Sequence, residues 1–121
     1  MKSTRAAGRY SKALLELAIE RNELEQIKDD ALVVLNAIKN SRELRNLLAS
    51  PVVKPLQKQA ILVQIFEKNT SLLTTQFITL LVKQGRGGIL EEVYLAFMSQ
   101  YRDSKNILEA TFITSSQVSG A

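Results

Sequence analysis

The chain has 121 residues, of which 45% are hydrophobic, and a formal net charge of +4. That is the length of one domain, with enough apolar material for a packed core. Cysteine and histidine are both absent, which excludes disulfides, thiolate or imidazole metal sites, Ser–His–Asp triads and Cys–His pairs within this chain. No catalytic residue, metal or cofactor is expected. No apolar run approaches the ~20 residues needed to span a bilayer.

The first 21 residues carry a basic excess: Lys2, Arg5, Arg9, Lys12 and Arg21 against Glu16 and Glu20. A nucleic-acid binder more often shows a dense basic stripe interleaved with aromatics. Here acids are interspersed, and a solvated polar face explains the pattern. The opening Met1–Arg9 is basic and free of acids, as transit peptides can be. Its apolar periodicity runs unbroken into Tyr10–Ile19, so it reads as the start of a helix.

Helix 1 is predicted over about Thr4–Arg21. Ala6, Ala7, Tyr10, Ala13, Leu14, Leu17 and Ala18 share one face, which Leu15 and Ile19 widen. At ~100° per residue the apolar arc covers about 240°, against the ~100° stripe of an ordinary surface helix. Either the helix is central and packed on most sides, or it has two apolar faces, one for its own core and one for a partner. Tyr10 fits either role.

Asn22 breaks the pattern. Helix 2 follows over Glu23–Asn40, with Leu24, Ile27, Ala31, Val34, Leu35 and Ile38 as a narrow stripe. Ser41 is placed as the N-cap of a short helix 3, Arg42–Ala49, which turns Leu44, Leu47 and Leu48 inward. Ser50-Pro51 ends it, because the residue before proline avoids the α region. Pro55 opens helix 4, with Leu56, Ala60, Val63 and Phe66 inward to about Glu67. Thr70 or Ser71 caps helix 5, Leu72–Gln84. There Leu73, Phe77, Ile78, Leu80, Leu81 and Val82 spread over about 200°, a second over-wide arc.

Gly85-Arg86-Gly87-Gly88 comes next. A glycine turn before a helix can cradle phosphate. This one lacks the Walker pattern and follows a helix, whereas a phosphate loop follows a strand. It reads as a hinge into helix 6, about Gly88–Lys105, with Ile89, Val93, Ala96, Phe97 and Gln100 recurring at helical spacing. Arg86 is placed to cap helix 5 carbonyls or to pair with Glu91 and Glu92. The pairs Glu91-Glu92 and Asp29-Asp30 diverge by ~100° on a helix and read as solvated. Ile107–Thr114 is β-branched and partly alternating, and predicts a strand. The expectation is an all-α six-helix bundle over residues 1–105, then a strand-like start of a further, truncated domain or a tail over 106–121. Helices 1 and 5 both carry spare apolar surface. Side by side, they form a groove for a partner's amphipathic helix.

Three stretches carry a resemblance. Ala7-Gly8-Arg9-Tyr10-Ser11-Lys12-Ala13-Leu14-Leu15-Glu16-Leu17-Ala18 resembles the opening A-x-x-Y-A-x-A-L-x-x-x-A motif of the ATP synthase delta subunit, the family of the oligomycin-sensitivity-conferring protein. Leu80-Leu81-Val82-Lys83-Gln84-Gly85-Arg86, with Leu90, Val93, Phe97 and Tyr101, is similar to the family's second signature. The Leu47–Pro51 break also matches. The resemblance implies a six-helix N-terminal domain on top of the F1 head, with the N-terminal helix of an alpha subunit between helices 1 and 5. It further implies a C-terminal domain that joins the b subunits of the peripheral stalk, so that the subunit acts as part of the stator for proton-driven ATP synthesis. Carried over, the partner-binding residues are Tyr10, Ala13, Leu14 and Leu17 on helix 1 and Phe77, Ile78, Leu81 and Gln84 on helix 5. The implied setting is the cytoplasmic side of a bacterial inner membrane, peripheral to it. Two departures stand out: Gly87-Gly88 should fray the start of helix 6, and the chain stops after one predicted strand. The competing reading is a small basic helical module that binds nucleic acid through Lys2, Arg5, Arg9 and Lys12.

Overall fold

The computed structural model describes the backbone of residues 2–120 and the side chains of residues 5–105. Six α-helices follow one another: α1 Lys2–Glu20, α2 Leu24–Asn40, α3 Arg42–Ala49, α4 Pro55–Phe66, α5 Leu72–Lys83 and α6 Leu90–Gly120. A 3-10 turn, Gly87–Ile89, leads into α6. The all-α class holds.

The breaks are local chemistry. Asn22 ends α1 in the left-handed region at φ 60°, which asparagine tolerates better than most residues. Its neighbour Glu23 returns a backbone N–H to Ala18 C=O at 2.8 Å, satisfying an end carbonyl. Ser41 caps α3 by accepting the Leu44 N–H at 3.1 Å. Gly85 takes φ 75° after α5, where a β-carbon would be strained. Arg86 N–H then closes on Leu81 C=O at 2.7 Å. The glycine turn is the hinge that the sequence predicts, and α6 begins with a single 3-10 turn.

The core runs along α6. This helix packs chiefly on α1 and α2. Leu90, Val93, Tyr94 and Phe97 are fully buried and Tyr101 nearly so. Phe77 of α5 meets Tyr94 edge-on at 6.0 Å between ring centres, and Phe97 stacks on Tyr101 at 6.5 Å. Such pairs add roughly 0.5–1.5 kcal/mol beyond the area they bury. From α1 come Ala7, Leu14, Leu15 and Ala18; from α2, Ile27, Ala31, Val34 and Ile38.

Two expectations are corrected. The strand over Ile107–Thr114 is not formed, because α6 is helical in backbone to Gly120. A lone strand leaves its N–H and C=O groups without a ladder partner, whereas a continued helix pairs them within the segment. The alternating side chains that suggested the strand lie outside the described side chains. The second correction is α4, whose inward residues are Leu62 and Phe66. Leu56 is 78% exposed and Ala60 is also out. This helix packs chiefly on α5 alone, so only one narrow stripe of it is covered.

Candidate partner-helix surface on α1 and α5

The wide apolar arc of α1 divides in two. Ala7, Leu14, Leu15 and Ala18 point into the core, with the Ser11 hydroxyl satisfied by Gly8 C=O at 3.0 Å. On the adjoining face Tyr10 and Leu17 are half-buried and Ala13 is exposed. Spacings of three and four residues put Ala6, Tyr10, Ala13 and Leu17 in one line along the helix. Ile19, at the far edge of the arc, is 47% exposed.

On α5, Leu73, Thr74, Phe77, Ile78, Leu81 and Val82 are buried. Leu80 is 44% exposed, and Gln84 lies on the surface just past the helix end. The two helices are joined at the surface by the Tyr10 hydroxyl, which donates to Gln84 Oε1 at 2.7 Å. The eight candidate residues therefore fall into two groups. Tyr10, Ala13, Leu17 and Gln84 can touch a partner. Leu14, Ile78 and Leu81 are core residues, and Phe77 is at the core's edge at 9% exposure. Leu80 is exposed apolar surface that the resemblance-based set leaves out.

The position of α5 is set from across the fold. Ser71 stands at its N-cap, but no side chain of its own caps the helix. Instead the Asp30 carboxylate of α2, 1% exposed, takes that place. Its Oδ2 accepts the Ser71 N–H at 2.9 Å, the Ser71 hydroxyl at 2.6 Å and the Thr74 hydroxyl at 2.6 Å. Gln26 Nε2 donates to Oδ1 at 2.9 Å. A carboxylate at a helix N-terminus is favoured by the helix dipole as well as by these bonds. On spacing alone Asp29-Asp30 reads as a solvated pair. Asp29 is exposed and pairs with Lys28 at 2.8 Å, but Asp30 lies one position before Ala31 on the edge of the buried stripe. That edge position was the available signal. Tyr94 is buried beside this cluster, and burial pushes its phenol pKa far up, with the Asp30 charge adding to the effect. It stays neutral and contributes as an aromatic body.

No group of three or more acidic side chains that could hold a metal occurs among the described residues. Neither Glu91 nor Glu92 pairs with Arg86; all three are exposed. Arg5, Arg9 and Lys12 are exposed on α1, while the side chain of Lys2 lies outside the described residues.

Residues 6–121 match the family described as ATP synthase delta (OSCP) subunit. The chain is 37% identical over 114 residues to an ATP synthase subunit delta of Christiangramia forsetii, covering 94% of this chain and 61% of that protein. It is 36% identical over 110 residues to the subunit delta of Chlorobaculum parvum, covering 91% and 61%. It thus spans about three fifths of the length of the curated relatives it matches. Among solved structures it resembles a chain of the Toxoplasma gondii mitochondrial ATP synthase hexamer, with a TM-score of 0.70 and 37% identity over 75% of this chain and 51% of that one. The order of helices, the two signature stretches and these likenesses agree, and the chain belongs to the ATP synthase delta (OSCP) subunit family.

Proposed function

We propose that this chain serves as a non-catalytic stator subunit of an F-type ATP synthase, and that its α1–α5 surface receives the N-terminal helix of an alpha subunit. The observation that carries the reading is the half-open apolar line of Tyr10, Ala13 and Leu17, tied to the end of α5 by the Tyr10–Gln84 hydrogen bond, in a chain of this family. A tether that resists torque needs slow release. Buried apolar area with shape complementarity supplies that, whereas exposed ion pairs contribute only ~0–1 kcal/mol. In this reading the bundle sits on the F1 head and keeps it from turning with the rotor. Attachment to the b subunits falls to the part of the relatives that this chain does not span, with residues 106–121 leading into it. The complex places the subunit at a membrane surface, on the cytoplasmic side in a bacterium. No helix among the described residues is long and apolar enough to cross a membrane.

Calorimetry with a peptide from an alpha-subunit N-terminus tests this. Tyr10→Asp and Leu80→Asp should each weaken binding by about 2 kcal/mol, roughly thirtyfold, as central interface residues do. Glu91→Ala should leave it unchanged. Leu81→Asp places a charge in the core and serves as the unfolded control. Full-strength binding by both surface variants would remove the groove assignment.

A further inference from the structure

A cavity of about 370 Å³ opens where the α3–α4 connection meets the glycine turn. Leu48, Pro51, Val53 and Val82 give it apolar walls, the Gly85–Gly88 backbone forms another side, and Lys58 is its one charged lining residue. Lys58 is half-buried, and its ammonium donates to Leu48 C=O at 3.3 Å, which holds it at the wall. Three more cations stand next to lining residues in the chain: Lys54 between Val53 and Pro55, Lys83 after Val82, and Arg86 between Gly85 and Gly87. All three are exposed, and none of the four cations forms an ion pair among the described residues.

The sequence around this cavity is one-signed. Residues 44–90 hold Arg45, Lys54, Lys58, Lys68, Lys83 and Arg86, but Glu67 is their only acid. Every lining residue comes from this stretch. Two exposed apolar side chains flank lining residues in the chain: Val52, 85% exposed, between Pro51 and Val53, and Leu56, 78% exposed, after Pro55. One cation in the wall and three beside lining residues in the chain, at a hollow of mixed polar and apolar lining, favour an anionic partner that also carries apolar side chains. The extra surface at Val52 and Leu56 is more than a small molecule filling the hollow would cover, and suits a chain that continues past it.

We propose that this cavity is a second docking site, which takes an acidic segment of a partner protein whose carboxylates meet Lys58, Lys54, Lys83 and Arg86 while its aliphatic side chains cover Leu48, Val53 and Leu56. It is separate from the α1–α5 surface and does not depend on the stator reading. The cation set sorts partners by charge, and the hollow sorts them by shape.

The test is fluorescence anisotropy of this chain with a labelled 12-residue peptide of alternating acidic and aliphatic residues. Its comparators are the same peptide with lysine for each acid, and vesicles of phosphatidylglycerol with phosphatidylcholine. The acidic peptide should bind, more weakly as salt rises, and the lysine peptide should not. Lys58→Glu with Arg86→Glu should weaken binding at least tenfold. Gly88→Leu fills the mouth while keeping every charge, since a β-carbon there meets only Leu48 C=O at 4.0 Å. It should weaken binding too. Tyr10→Asp and Lys12→Glu should not, with circular dichroism confirming the fold of each variant. Equal binding of both peptides, or an unchanged affinity in the Lys58/Arg86 double variant, overturns the site. Binding of vesicles alone replaces a protein partner with an anionic lipid surface. Loss of binding in Tyr10→Asp places the peptide on the α1–α5 surface and ends the proposal.

Discussion

α6 and α4 are both rich in apolar residues, yet they live differently. α6 lies against α1 and α2 and fully buries Leu90, Val93, Tyr94 and Phe97. α4 leans chiefly on α5, buries Leu62 and Phe66, and leaves Leu56, Ile61 and Ile65 exposed. The number of neighbouring helices, not the number of apolar residues, decides how much of a helix is core. What is left uncovered is available for partners, and on α1 the same division occurs within one helix.

Phe97→Ala breaks the α6 side of this comparison most severely. A fully buried phenylalanine should cost about 3–5 kcal/mol in urea unfolding. Leu56→Ala on α4 should change stability by no more than about 0.5 kcal/mol. Similar losses at both positions would mean that α4 is covered as well. Asp30→Ala is expected next. It removes the acceptor for three donors around the start of α5, so the loss should be about 2–3 kcal/mol. Asp30→Asn keeps one acceptor and should lose less. Leu80→Asp should change stability by less than about 1 kcal/mol, as surface sites do, and Tyr10→Asp by roughly 1–2 kcal/mol, because Tyr10 is half-buried and loses its hydrogen bond to Gln84. Their effect belongs in peptide affinity, so a large stability loss there would show that the line on α1 and α5 is core.

The smallest effect concerns the middle of α6, where it meets α2. The Tyr101 hydroxyl donates to Glu25 Oε2 at 2.7 Å, with Lys105 at 3.5 Å. The tyrosine hydrogen bond first, then the lysine charge, hold the Glu25 carboxyl below its ordinary 4.5. The folded state therefore favours the ionised form. Its contribution is present above the unfolded pKa and is lost as pH falls below 4.5 through the lowered value. Glu25→Gln should flatten the stability-against-pH curve in that acid range only, and an unchanged curve would mean the contact is not formed in solution.

Much of this architecture is legible in the residues. Asn22, Ser41, Pro51, Pro55 and Gly85 mark helix ends through backbone constraints that need no tertiary contact, and the ends fall within one or two residues of those marks. The narrow stripe of α2 was likewise readable, because a single face is unambiguous. The wide arcs were not. A wheel shows that Leu80 and Leu81 are both apolar, but not that Leu81 is buried and Leu80 is 44% exposed. The basic excess at the N-terminus is the more compact in sequence, but the larger one lies in residues 44–90.

The sequence by itself determined the helix breaks as far as the start of α6, the helix order, the hinge at Gly85 and the family, because these rest on local dihedral preferences and on residue patterns along the chain; it did not give the length of α6. Only the tertiary structure decided that Asp30 caps α5 from another helix, that Tyr10 reaches Gln84, and that Leu14, Ile78 and Leu81 are core with Phe77 at its edge. Those outcomes depend on which helices are neighbours, and neighbourhood in space is a property of the packed bundle that no single helix carries.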